Sequence, residues 1–272
     1  MRVINTLQCL WSYFLSLFGV VRVHHLPTFV SVEPANYCQL RCPECPVGQR
    51  VHANNKAKHM PLEVFSSLLE QVGKTAHTMQ FYFQGEPLLH PQLPPMIASA
   101  HAVGLYTIVS TNAQALTAEL ADALVRSGLN RIIVSIDGFA QDSYAAYRVG
   151  GSLEKALAGL RYLSEARQRH HAHICIELQV LRLQTNENEW QWIRRHYREL
   201  GATRWVFKTA QLYDYQHGRA LMPSNPRYSR YRKTKEGTYR LHRSWIRRHW
   251  VNTPCYRLWS GCVITAEGEV LP

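Results

Sequence analysis

Between residues 28 and 208 the sequence changes its period in a fixed order. Runs rich in β-branched and aromatic residues stand at 28–33, 79–83, 106–110, 131–136, 173–180 and 204–208. Longer stretches lie between them, with apolar residues three and four apart, the helical period. Pro61 opens the first where its missing N–H costs nothing, and Leu62, Phe65, Leu68, Leu69 and Val72 form its apolar stripe. A second helix spans 94–103 and stops at Gly104. A third is capped by Thr117 and ends at Gly128, and a fourth is capped by Ser152 and carries Leu153, Leu157, Leu160 and Leu163. Trp190, Ile193, Tyr197 and Leu200 mark a fifth, stopped by Gly201. Strands alternating strictly with helices make a parallel sheet, because parallel neighbours need crossover connections. The expected fold is α/β, a partial (β/α)6 TIM-like barrel whose chemistry sits on loops at the carboxyl ends of its strands.

Three further segments flank that barrel, assigned to 27–212. Residues 1–26 carry Leu7, Leu10, Trp11, Phe14 and Phe18 at helical spacing, with Asn5, Gln8, Ser12 and Ser16 between them. This amphipathic helix lacks the cleavage site of a signal peptide and is too polar to span a bilayer. Its polar face has no Lys or Arg, which argues against a membrane-surface helix and for one docked on the barrel. Residues 213–254 form a basic extension, expected to be irregular. From Asp214 to Trp250 it holds ten Lys and Arg against Asp214 and Glu236, within a chain of net charge +12. Such a segment is either a solvated surface or a site for anions. In residues 255–272, Val263–Ile264 and Val270–Leu271 flank a turn at Glu267–Gly268 and read as a hairpin.

Of seven cysteines, Cys38, Cys42 and Cys45 fall within eight residues, on the loop after the first strand. An odd count in a chain of 272 residues is not a secreted disulfide framework, and clustered thiols point to a metal in a reducing compartment, hence a cytoplasmic protein. Three thiolates can bind three irons of a cubane cluster and leave the fourth open. A zinc site completed by His52 or His59 is the alternative.

The run Cys38-Gln-Leu-Arg-Cys42-Pro-Glu-Cys45 resembles the signature of the radical S-adenosylmethionine (SAM) superfamily. Phe83-Gln-Gly-Glu-Pro-Leu-Leu resembles that family's glycine-glycine-glutamate motif, and Val109-Ser-Thr-Asn-Ala and Val134-Ser-Ile-Asp-Gly resemble its third and fourth strand ends. Gln84 replaces the first glycine of the second motif, and Glu44 stands where many members place an apolar residue against adenine. The resemblance covers about residues 28–210 and implies a 4Fe–4S cluster on Cys38, Cys42 and Cys45 whose open iron chelates SAM. The reduced cluster would cleave SAM to a 5′-deoxyadenosyl radical that takes hydrogen from a substrate. The resemblance further implies that Glu86 meets the SAM ammonium beside the small Gly85, and that Arg148 and Ser135 meet its carboxylate. Thr111, Asn112 and Asp137 are candidates for the ribose, or simply turn residues at strand ends.

Cys255, followed thirteen residues later by Gly268, resembles the opening of the auxiliary-cluster domain called SPASM, or its smaller twitch relative. Cys255 would then be a ligand of an auxiliary iron–sulfur cluster, or else a buried cysteine of the hairpin, and Cys262 would be core. Relatives with this domain often act on peptides or proteins, and the resemblance implies an electron donor such as flavodoxin or ferredoxin as partner. Two other functions stay open. One is radical SAM modification of RNA or a nucleotide-derived substrate, for which Tyr228, Tyr231, Tyr239 and Trp245 among basic residues would suit stacking. The other is a non-catalytic iron–sulfur protein, which has no use for Glu86, Ser135 and Arg148.

Overall fold

The computed structural model describes residues 1–49, 56–213, 221–242 and 255–272. His52, Trp245 and the remainder of 214–220 and 243–254 lie outside the described residues. Helix α1 is Arg2–Ser16, followed by β1 (Phe29–Val32), α2 (Leu62–Val72), β2 (Thr78–Phe81), α3 (Leu93–Ala102), β3 (Tyr106–Thr111) and α4 (Ala118–Arg126). Then come β4 (Arg131–Ser135), α5 (Gln141–Ala145), α6 (Leu153–Arg169), β5 (Cys175–Arg182), α7 (Trp190–His196) and β6 (Arg204–Thr209). The chain closes with β7 (Tyr231–Lys233), β8 (Tyr239–Leu241), α8 (Arg257–Ser260), β9 (Gly261–Ile264) and β10 (Val270–Leu271). Each element expected from the barrel's alternating pattern is present, with ends shifted by a few residues.

Eight strands form one open sheet in the order β10-β9-β1-β2-β3-β4-β5-β6. From β1 to β6 the strands are parallel and sequential, the arrangement of a partial barrel. Successive side chains alternate between its two faces. Val30, Met79, Phe81, Val109, Ile132, Val134 and Leu178 turn outward into the core beneath the helices. The other set faces inward and is more polar: Ser31 pairs in register with Gln80, and Ser110 with Ile133 and Glu177. Fully buried Glu177 is held by Arg131 Nη2 at 2.6 Å and Arg204 Nε at 3.2 Å, the pairing a buried charge requires.

The terminal hairpin forms, but not as a separate unit. β9 lies parallel to β1, with Val30 opposite Cys262 and Val32 opposite Ile264, and β10 returns antiparallel. The free edge of β1 has N–H and C=O groups that need partners, and β9 supplies them. Gly268 closes the turn at φ +88°, where glycine carries no steric cost. Cys262 packs partly buried against the core, as expected.

The basic extension corrects the expectation of irregular chain. β7 and β8 form an antiparallel ribbon, and Leu221, Met222 and Tyr231 pack with Leu40, Cys42 and Tyr147 in a second buried cluster. The extension therefore covers the cysteine loop.

Helix α1 docks on the barrel, but the face that docks is the opposite of the one apolar spacing suggests. Asn5, Cys9, Ser12 and Ser16 are buried, while Leu7, Leu10, Trp11, Phe14 and Phe18 are exposed. The reason is polar. Arg2 donates to the carbonyls of Gly73 and Val103, the C-caps of α2 and α3, and to Ala76 O at 2.8 Å. Orphan carbonyls at helix C-termini carry partial negative charge and favour a guanidinium. Asn5 exchanges two 2.9 Å hydrogen bonds with the backbone of Leu26.

Candidate active site

The carboxyl ends of β1 to β4 and the turn after α5 converge on one cavity of about 690 Å³, its open mouth included. Its wall includes Cys38, Cys42 and Cys45 from the loop after β1, and Gly85 and Glu86 from the loop after β2. Thr111, Asn112 and Ser135 from the ends of β3 and β4, and Arg148 beyond α5, complete the set. Nine of the ten residues expected at the SAM and cluster sites thus share this wall, and Asp137 is the exception.

Packing of the loops explains how they converge. A Cβ on Gly85 would lie 1.9 Å from Ala35 O and 2.9 Å from Tyr37 N, so only glycine lets the two loops touch. A Cβ on Gly48 would lie 2.5 Å from Cys42 O, so the cysteine loop closes on itself as tightly. Glu86 is 4 % exposed. Its Oε1 accepts from Thr111 Oγ1 at 2.6 Å and Leu88 N at 3.2 Å, and its Oε2 from Asn112 N at 2.9 Å. Burial pushes its carboxyl above the usual range, against the lowering effect of these donors. Three of about four acceptor positions are used, which leaves room for one more donor such as an ammonium. Ala113 follows at φ +58°, with its N–H held by Thr111 Oγ1 at 2.9 Å.

Donors also reach the thiols. Asn112 Nδ2 and Leu40 N lie 3.4 Å from Cys38 Sγ, and Arg148 Nη1 lies 3.8 Å from Cys42 Sγ. Burial pushes the Cys38 thiol up to about 12, opposed by the Leu40 N–H and reinforced by Glu86 and the other two cysteines. Burial also raises Cys42, against Arg148. Thiols that resist ionising, as those of Cys38 and Cys42 do, fit a cationic metal core, whose charge would hold them as thiolates. Among the described residues no three His, Cys, Asp or Glu side chains converge as for a single metal ion. A cubane does not ask for that, since its three ligands bind separate irons. His59, the other zinc candidate, meets Tyr37 Oη at 2.7 Å.

Two candidates are engaged with each other. Asp137 is fully buried, with Oδ2 accepting from Arg148 Nε at 2.6 Å and Oδ1 from Leu181 N at 2.6 Å. The carboxylate raises the Arg148 pKa against the opposing effect of burial. Glu44 turns from the cavity and accepts from Tyr213 N at 3.0 Å. Cys255 is exposed and precedes α8, at the amino-terminal side of the sheet, away from the triad.

Sequence reasoning missed Glu33 and Gln39. Glu33, 5 % exposed, accepts from the N–H groups of Gln84, Gly85 and Ala266 and so ties the loop after β2 to the C-terminal turn. The alternation of β1 places it on the inner face with Ser31, a signal that was available. Gln39 Nε2 donates to Asn112 Oδ1 at 3.2 Å, which has no signature in sequence.

The profile of the radical SAM superfamily matches residues 32–193. PqqA peptide cyclase of Xanthomonas campestris pv. campestris is 30% identical over 135 residues, 48% of this chain and 35% of that protein. AdoMet-dependent heme synthase of Methanosarcina barkeri is 28% identical over 156 residues, 54% of this chain and 42% of that protein. The matches therefore span less than half the length of these curated relatives. In structure the chain is similar to Streptococcus suis SuiB bound to its precursor peptide SuiA, with TM-score 0.65 and 12% identity over 95% of this chain and 61% of that one. It is also similar to native anSMEcpe with bound AdoMet, with TM-score 0.56 and 14% identity over 71% and 54%. The chain belongs to the radical SAM superfamily, a family of enzymes.

Proposed function

We propose that this chain is the SAM-cleaving part of an enzyme that modifies a peptide or protein. The observation that carries the reading is the cavity itself, where three cysteines, a buried carboxylate and a partly buried arginine line one wall. Cys38, Cys42 and Cys45 would hold a 4Fe–4S cluster and leave one iron for SAM. When bound, that cluster supplies the electron that breaks SAM into methionine and a 5′-deoxyadenosyl radical. The chain's own residues bind, orient and exclude water. Glu86 offers its remaining acceptor position to the SAM ammonium, which would bring the charge its buried carboxylate lacks. Arg148, with Nε committed to Asp137, keeps its outer guanidinium edge for the carboxylate, and Ser135 stands beside it. Asn112 and Gln39 orient the cysteine loop. Leu221, Met222 and Tyr231 pack over it and keep water from the cluster, as the apolar shell of a metal site does.

The similarity to PqqA peptide cyclase and to SuiB with its precursor peptide supports a peptide substrate. Cys255 as an auxiliary-cluster ligand and a flavodoxin or ferredoxin as electron donor belong to the same reading. The test is 5′-deoxyadenosine production by anaerobically reconstituted protein, given dithionite, SAM and peptides encoded beside its gene. Expected are about four irons per chain at the triad, peptide-stimulated 5′-deoxyadenosine, and loss of both when all three cysteines become Ala. Cleavage retained in the triple variant refutes the site; stimulation by RNA but by no peptide refutes the substrate class.

A further inference from the structure

The outward face of α1 is left unexplained by the site. Leu7, Trp11, Phe14 and Phe18 stand on one side at helical spacing, Trp11 60 % and Phe18 70 % exposed. Apolar chain continues past the helix end, with Val21 and Val23 also exposed. A contiguous apolar face of this kind marks a protein or membrane contact. We propose that α1 and residues 17–26 form a membrane-surface anchor, whose aromatic face enters the headgroup–acyl boundary of an anionic bilayer.

Three observations favour lipid over a protein partner. The first is charge. Residues 1–32 contain Arg2 and Arg22 and no Asp or Glu; Arg2 is engaged by carbonyls of the barrel, so the side chain of Arg22 brings positive charge beside the apolar face and its own segment brings no carboxylate. Near the helix start, Lys74 and Glu70 offset one another. Arg22 is exposed, where a cation meets anionic headgroups. The second concerns the polar face. An interfacial helix ordinarily turns Lys and Arg on that face to the headgroups. Here that face is buried on the barrel through Asn5, Cys9, Ser12 and Ser16, with Arg2 spent on barrel carbonyls, so its shortage of free cations reflects a protein contact and no longer argues against lipid. The third is composition: Leu7, Trp11, Phe14 and Phe18 carry no hydrogen-bonding group beyond the indole N–H, with Gln8 exposed at the edge of their face, which suits a fluid apolar phase beside polar headgroups. Among the described residues no helix is long and apolar enough to cross a membrane, so the anchor lies in the surface.

The geometry also sets the orientation. Arg2, Asn5 and Thr6 hold α1 against the carbonyls of Gly73, Thr75 and Ala76 and the ring of His77, at the amino end of β2. The cysteine cavity opens at the carboxyl ends. A barrel seated on lipid through α1 presents that cavity to the aqueous phase, where a peptide and an electron donor reach it.

The test is flotation of the full reconstituted chain with vesicles of phosphatidylcholine and phosphatidylglycerol. The wild type is expected to float. The variant Trp11→Ser, Phe14→Ser, Phe18→Ser is expected to bind at least about a hundredfold more weakly, with iron content and SAM binding unchanged because α1 lies at the other end of the barrel. Arg22→Ala, at an exposed position, is expected to weaken binding about fivefold. A wild type that does not float, or a triple variant that floats as well, overturns the proposal. So does a concentration-dependent dimer in analytical ultracentrifugation that the triple variant abolishes while no vesicle binding is seen, because the face then covers a second copy.

Discussion

Arg148 and Asp137 form the buried ion pair on which the SAM-facing wall depends, with side chains 15% and 1% exposed and Nε 2.6 Å from Oδ2. Two unit charges roughly 4 Å apart attract by about 4 kcal/mol at an effective dielectric constant of 20. Removing one partner strands the other, which for a buried pair costs about 3–5 kcal/mol. Asp137 retains the Leu181 N–H at 2.6 Å, and Arg148 retains the weaker contacts with Cys42 Sγ at 3.8 Å and the Tyr147 ring, 5.5 Å from its centroid. Arg148→Met is therefore expected near the lower end, about 3 kcal/mol, and Asp137→Asn somewhat higher. The double variant buries no charge here, and its loss should fall short of the sum by about 2 kcal/mol or more. The measurement is urea unfolding of the four proteins by circular dichroism under anaerobic conditions, followed by SAM affinity at a urea-free pH 7. Single variants that each cost under about 1 kcal/mol and add in the double would refute the reasoning. Arg148 would then be held by SAM rather than by Asp137, and only the SAM affinity should move.

Gly85→Ala places a methyl 1.9 Å from Ala35 O, a contact with backbone that cannot rotate away; the loop must shift, at about 1–3 kcal/mol in a melting experiment, whereas Gln84→Gly should cost about 1 kcal/mol at most. Glu33 is pushed up chiefly by burial and less by Glu267, against the N–H groups of Gln84, Ala266 and Gly85. Because its folded pKa lies above the unfolded one, its favourable contribution is full below the unfolded value, near 4.5, and is lost as pH rises through the folded value. Wild type measured against Glu33→Gln should accordingly lose relative stability across that window, and a relative gain with rising pH would reverse the assignment. Neutralising Arg230, Arg232, Lys233 and Lys235 together should leave RNA binding weak and its salt dependence unchanged; a log–log salt slope that flattens by about 0.9 per lost contact on duplex, or about 0.7 on single strands, would mean that the extension binds phosphates.

Periodicity was enough to read the barrel. A period of two in Val30, Val32, Met79 and Phe81 and of 3.6 in α2 is set by local geometry, and Pro61, Thr117, Ser152 and Gly128 mark helix ends by chemistry within a few residues. The spacing of Cys38, Cys42 and Cys45 is equally local, and with the parallel order of the strands it placed them at one mouth with Glu86, Thr111, Asn112 and Ser135. What tertiary structure decided are choices between partners far apart in the chain. An amphipathic pattern shows that α1 has two faces but not which one meets the barrel, and the outcome turned on carbonyls of Gly73, Ala76 and Val103 that only the packed helices bring to Arg2. The same holds for Asp137, which could have met a ribose but lies behind Arg148 and under Leu181 N–H, and for β9, which a hairpin pattern leaves free and the open edge of β1 captures. A hydrogen bond or ion pair across tens of residues leaves no period in sequence, because its geometry exists only after the chain has packed.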